Sequence, residues 1–171
     1  FHDVWIEHLL KRENNFSRDF LGKIVPVFGN SVNISKGIRG HRRMKVIGVY
    51  NLKGGVGKTS ITVNLAFLAA EQGARTLIWD LDVQGATTYY FRIKPKIKGG
   101  VSKLIRRKSP LDRWIRGTDF DNLDLLPADF SFREMELQLN RVKKPVEVFR
   151  SRLKKLHEDY DYVFLDCPPG L

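Results

Sequence analysis

Three glycines among four residues, Gly54, Gly55 and Gly57, lead directly into Lys58, Thr59 and Ser60. A polyanion is met by converging backbone N–H groups, and a Cβ on the loop would block that approach. Lys58 then reaches the β and γ phosphates of a nucleotide, and the Thr59 hydroxyl is placed to ligate a magnesium ion bridging them. Such a loop opens a helix, whose first N–H groups and dipole favour the anion. Both flanks agree with this order. Met44 to Tyr50 is a short apolar run that reads as a buried strand. Thr59 to Gln72 sets Ile61, Leu65 and Leu68 at helical spacing and closes on Gly73, a C-cap residue. Strand, phosphate loop (Lys53, Gly54, Gly55, Val56, Gly57, Lys58, Thr59, Ser60) and helix therefore follow one another, which commits this part of the chain to an α/β architecture.

Two carboxylate clusters follow. Asp80-Leu81-Asp82-Val83-Gln84-Gly85 comes directly after the apolar run Thr76 to Trp79. Residues just past the carboxyl ends of strands line the ligand crevice of an open parallel sheet, so Asp80 and Asp82 are expected to face the phosphate loop. Taken alone, Asp-x-Asp reads equally as a solvated turn. Tyr160 to Leu165 is another apolar strand, ended by Asp166-Cys167-Pro168-Pro169-Gly170. A carboxylate there suits a hydrated magnesium ion, although in isolation the same run fits a core strand stopped by prolines.

The ordinary phosphate-loop pattern, G-x-x-x-x-G-K-[ST], calls for glycine at position 52, where this chain has Leu52 followed by Lys53. The loop instead resembles the deviant Walker A motif, K-G-G-x-G-K-[ST], of the ParA/MinD family of P-loop ATPases, and most of all its ParA/Soj-type partitioning members. Asp80 to Gly85 resembles the switch I segment of that family, and Asp166 to Gly170 resembles its Walker B and switch II, with Cys167 in the small-residue position. Asn122 to Ala128 resembles the family's third strand, so the resemblance runs from Met44 to Leu171. It implies a P-loop NTPase-like, mostly parallel sheet with helices on both faces, cut after the Walker B and switch II strand. It also implies ATP and Mg2+ as cofactors and a homodimer that sandwiches ATP, with Lys53 reaching the partner's nucleotide. By the same resemblance Thr59, Asp80, Asp82 and Asp166 serve the metal, and Asp82 also orients the attacking water.

Composition sets broad limits. The 171 residues suffice for one domain with a core, at an ordinary 42% hydrophobic content. No apolar run approaches the roughly 18 residues of a membrane span. The single cysteine, Cys167, permits no internal disulfide, suits a reducing cytoplasm and reads as a small packing residue. The chain starts at Phe1 and stops just past switch II, which suggests a domain cut at both ends. Residues 44–171 are expected to be the N-terminal part of an ATPase domain, and 1–43 an upstream segment or linker. Within the latter, His2 to Leu10 suggests a short amphipathic helix, Ile24 to Phe28 a strand and Ser31 to Arg43 a linker; a helix-turn-helix signature is not evident. Between the motifs, short helical stretches are expected at Ala86 to Phe91, Val101 to Arg107, Pro110 to Arg116, Phe132 to Arg141 and Val146 to His157, with a strand at Leu123 to Leu126.

Charge is uneven. The formal net charge is +11, and the stretch from Arg92 to Arg116 alone carries ten Lys or Arg against one acid. Such clustering fits a polyanion, and non-specific DNA, with Arg106, Arg107 and Lys108 contributing, is the partner that the resemblance implies. A solvated basic face is the plainer reading. The function implied is ATP-dependent partition of a plasmid or chromosome, stimulated by a ParB-like protein and nucleoid-associated in the cytoplasm. A MinD-like ATPase at a membrane and a non-catalytic DNA-binding adaptor on the same fold are the alternatives.

Overall fold

The computed structural model describes residues 24–28, 44–106 and 110–169. The helix expected over His2 to Leu10, the linker over Ser31 to Arg43, and Arg107 and Lys108 lie outside the described residues. The strands are β1 (Ile24–Phe28), β2 (Lys45–Val49), β3 (Thr76–Asp80), β4 (Arg116–Gly117), β5 (Leu123–Leu126) and β6 (Tyr162–Asp166). They form one sheet in the order β1-β2-β6-β3-β5-β4. The four central strands are parallel, and the outer two, β1 on β2 and β4 on β5, are antiparallel. Pro26 sits on an edge strand, the position in a sheet that tolerates its missing N–H.

Parallel strands covered on both faces need near-continuous apolar sequence, and alternate residues divide between the two layers. Ile47, Ile78 and Phe164 face α1 (Lys58–Glu71), packing with Val63, Ala66 and Ala70. Val46, Leu77, Trp79, Val163 and Leu165 point the other way, into a layer built from α3 (Gly100–Ile105), α4 (Met135–Asn140) and α5 (Pro145–Leu153). Helices thus cover both faces, as the sequence implies. The short α2 (Ala86–Tyr90) follows the switch I segment. Arg152 on α5 is buried, and its guanidinium donates to the carbonyls of Lys103 (2.8 Å) and Leu104 (2.9 Å), closing the C-terminal end of α3. Orphan carbonyls at a buried helix end need such partners.

Several local expectations shift. On α1 the buried face is Lys58, Thr62, Val63, Ala66 and Ala70, whereas Leu68 is 47% exposed. The helix is turned so that Thr59 meets Asp166, which rotates the Ile61, Leu65, Leu68 stripe toward the flank. Gly73 does end it, at φ 82° with its N–H on the Ala70 carbonyl. Pro110 to Arg116 is a single 3-10 turn over Leu111–Arg113, after which Trp114 is buried and Arg116–Gly117 extends to pair with Asp124 and Leu125. The helix expected from Phe132 starts as 3-10 at Phe130, with the Asp129 side chain accepting from the Ser131 N–H. The next runs from Pro145 to Leu153 and ends in a 3-10 turn, Lys154–Leu156.

Candidate phosphate and metal site

Strands β2, β6 and β3 end level: Val49 and Asp80 are both register partners of Asp166. The chain leaves β2 to cover one face of the sheet, and the crevice beyond these three strand ends is where ligands bind in open α/β sheets. The glycine loop curls over that crevice. Gly55 and Gly57 take φ values of 71° and 85°, and a Cβ at either would meet nothing within 4 Å, so the space beside them is open. Gly57 is the N-cap of α1 and supplies no side-chain acceptor, and the first turn of α1 carries no acid. The leading N–H groups of the helix therefore face the loop without a protein anion to satisfy them.

Lys58 opens α1 as a buried residue, 8% exposed, and its Nζ donates to the Lys53 carbonyl at a long 3.4 Å. Lys53 and the loop from Gly54 to Gly57 are exposed, as is Ser60. Thr59 donates its hydroxyl proton to Asp166 Oδ2 at 2.9 Å, which leaves the lone pairs of its oxygen as the free side. Thr87 donates to the same oxygen at 2.7 Å, and Thr62 lies 3.5 Å from Oδ1. Asp166 is 0% exposed; burial pushes its carboxyl above the usual range and Asp82 adds to this, while the Thr87 and Thr59 hydroxyls and the Lys58 cation oppose it.

Asp80 is engaged differently. Its Oδ2 accepts from the Thr88 N–H (2.8 Å) and hydroxyl (2.6 Å), and its Oδ1 from the Asp82 N–H (3.2 Å). The carboxylate therefore acts as the side-chain cap that Gly85, the actual N-cap of α2, cannot provide. Burial raises its pKa to about 6, and the neighbouring Asp166 contributes, against the Thr88 bonds that lower it. Asp82 is half-buried; its Oδ1 accepts from the Gln84 N–H at 2.9 Å, and its Oδ2 has no partner among the described residues. Two buried carboxylates side by side with raised pKa values are an arrangement that a bound cation relieves.

The structure thus gathers Lys58, Thr59, Asp80, Asp82 and Asp166 at one crevice, with Lys53 on its exposed rim. Sequence reasoning missed Thr62, Thr87 and Thr88. Their signal was a pair of threonines just past Ala86 after the Gln84-Gly85 turn and another one turn into α1, hydroxyls at buried positions. Cys167 is half-buried, and burial beside Asp166 pushes its thiol up to about 12. At pH 8 its alkylation by iodoacetamide in the full-length protein is expected to run on the order of a thousandfold slower than that of free cysteine, because the thiolate is the nucleophile and its fraction falls about tenfold per pH unit of pKa rise. Mass spectrometry over a time course reads this directly; modification at the free-thiol rate would contradict it.

A family model described as an AAA domain (AAA_31) matches residues 44–171. The chain belongs to the AAA domain family. Its similarity lies with the ParA/MinD members: Soj of Bacillus subtilis is 35% identical over 129 residues, covering 74% of this chain and 51% of Soj. The chromosome partitioning protein ParA of Myxococcus xanthus is 35% identical over 130 residues, covering 74% of this chain and 45% of that protein. Among solved structures, cobyrinic acid a,c-diamide synthase from Mycobacterium smegmatis, with bound ADP and magnesium, superimposes with a TM-score of 0.69 at 32% identity, over 74% of this chain and 51% of that one. This AAA domain chain spans about half the length of the relatives it matches. No helix among the described residues is long and apolar enough to cross a membrane.

Proposed function

We propose that the full-length protein is a partition-type ATPase that binds ATP with Mg2+, dimerises around it, binds DNA in that state and is released when hydrolysis, stimulated by a ParB-like protein, resets it. The observation that carries the reading is the bond from Thr59 to the buried Asp166 at the mouth of a glycine loop bearing both Lys58 and Lys53. The residues present fit the implied ligands. Hydroxyl and carboxylate oxygens are what magnesium prefers, and the uncapped helix start with open space at Gly55 and Gly57 admits a phosphate chain.

In this scheme ATP supplies the phosphoanhydride bond that is broken. Lys58 and the amides from Gly54 to Ser60 hold the phosphates, Thr59 and Asp166 hold the metal, and Asp80 fixes the switch I segment beside it through Thr88 and the Asp82 N–H. Asp82 orients water toward the phosphate with the oxygen that is not tied to Gln84. Phosphoryl transfer demands mainly positioning and charge neutralisation, which this set provides. Lys53 is exposed on the loop, and in this scheme it would reach the nucleotide of a second copy. Relatives bearing the ParA and Soj names support the partition role.

Light scattering of the full-length protein with a non-hydrolysable ATP analogue and magnesium tests the dimer: a mass doubling is expected, and a monomer throughout would overturn the reading. DNA binding has its own test. Arg92, Lys94, Lys96, Lys98, Lys103 and Arg106 are all exposed. Replacing Arg106, Arg107 and Lys108 by Gln is expected to flatten the log–log salt dependence of duplex binding by about 2 to 3, near 0.9 for each phosphate no longer neutralised. An unchanged slope would remove this segment from the DNA surface.

A further inference from the structure

A groove of about 360 Å³ lies between α3 and α4, and its chemistry is neither that of the phosphate site nor that of a plain basic face. Ser102 on α3 donates to Gln138 on α4 at 2.9 Å, tying the two walls together. The lining includes Ile105, Leu137 and Val142, and Leu137 stands 57% exposed. An exposed leucine continuous with the apolar lining of a groove fits an interaction surface.

The rim is basic. Arg106 and Arg141 line the groove at the C-terminal ends of α3 and α4, and neither guanidinium has an acceptor among the described residues. The acid lining the groove, Glu134, accepts from Gln138 at 3.2 Å. Arg106 and Arg141 are 35 positions apart in the chain, so only the fold brings them to one cleft. A groove between two helices with an apolar lining and arginines on its rim is the complement of a helix that carries apolar residues on one face and acids beside them. A DNA duplex presents phosphates and sugars to a protein and gains nothing from Ile105, Leu137 and Val142.

We propose that the groove between α3 and α4 is a docking site for an acidic amphipathic helix of a partner protein. The inference does not rest on the partition reading. Arg106 is shared with the DNA surface proposed above, so the decisive variants are Leu137→Ser and Arg141→Glu, both exposed and confined to the groove. The probes are fluorescein-labelled 18-residue peptides: an acidic amphipathic helix with leucines at i, i+3 and i+7, the same peptide with every Glu replaced by Lys, and a scrambled acidic one. Fluorescence anisotropy with the full-length protein is expected to show binding of the first, at least tenfold weaker binding of the other two, and at least tenfold loss of the first with either variant. Equal affinity for all three peptides, no binding of the acidic helix to the wild-type protein because its own remaining chain covers the groove, or insensitivity to both variants would overturn the proposal. So would an equal loss of duplex DNA affinity in Leu137→Ser, which would make the groove a nucleic-acid surface.

Discussion

Lys58→Ala in the full-length protein is expected to abolish ATP-dependent dimerisation and to lower the hydrolysis rate by at least about a hundredfold, the usual cost of removing one charge-stabilising group from a preorganised site. The ammonium is held in place for this task. Its stem is buried against the start of α1, and its Nζ rests on the Lys53 carbonyl at 3.4 Å, a contact too long to compete with a phosphate oxygen. The substitution should spare the fold, because residue 58 is the first of α1 and alanine is the best helix former. Light scattering with an ATP analogue, a phosphate-release assay and circular dichroism separate the possibilities. Unchanged dimerisation in a folded variant would remove Lys58 from the site and with it the ATP-gated scheme.

Asp82→Asn should produce the opposite pattern: nucleotide affinity within a few-fold of wild type, dimers that persist, and turnover lower by about 10² to 10³, the range for losing a positioned acid–base or water-orienting group. Asparagine keeps the oxygen that accepts from the Gln84 N–H, so the turn survives while the second, charged oxygen is lost. In kinetic terms the loss falls on kcat and leaves KM nearly unmoved, the signature of an interaction needed only for the reaction itself. If KM rose and kcat held, Asp82 would be a binding group and the water would have another guide.

Much of this was legible because the strongest signals are local. The central strands β2, β3, β5 and β6 lie where apolar runs bounded by Asp, Gly and Pro place them, and Gly55 and Gly57 of the loop leave the open space that a phosphate chain needs. What failed to show is side-chain orientation set by tertiary contacts. The helical spacing of Ile61, Leu65 and Leu68 is real, yet the Thr59–Asp166 bond turns a different face to the sheet. Asp80 and Asp82 look equivalent in an Asp-x-Asp pair, but only the fold shows that Thr88 and the Asp82 N–H occupy Asp80 while Asp82 keeps an oxygen free. The threonine pair after the Gln84-Gly85 turn was visible, but Thr87 becomes informative only once β6 carries Asp166 next to β3. Likewise the charge run from Arg92 to Arg116 was visible, whereas Arg141 joining Arg106 at one cleft was not.

Arg152 gives α3 a rigidity that its own six residues could not supply. An isolated helix of that length is far below the length that holds together in water, and its end would fray. Tied by its last carbonyls to a guanidinium rooted in α5, α3 and the residues that face α4 are set in advance of any encounter. A partner arriving there would lose its own freedom but would not have to organise its target, so the ordering entropy of association falls on one side only. A buried arginine would thereby influence how tightly a partner at that groove is held.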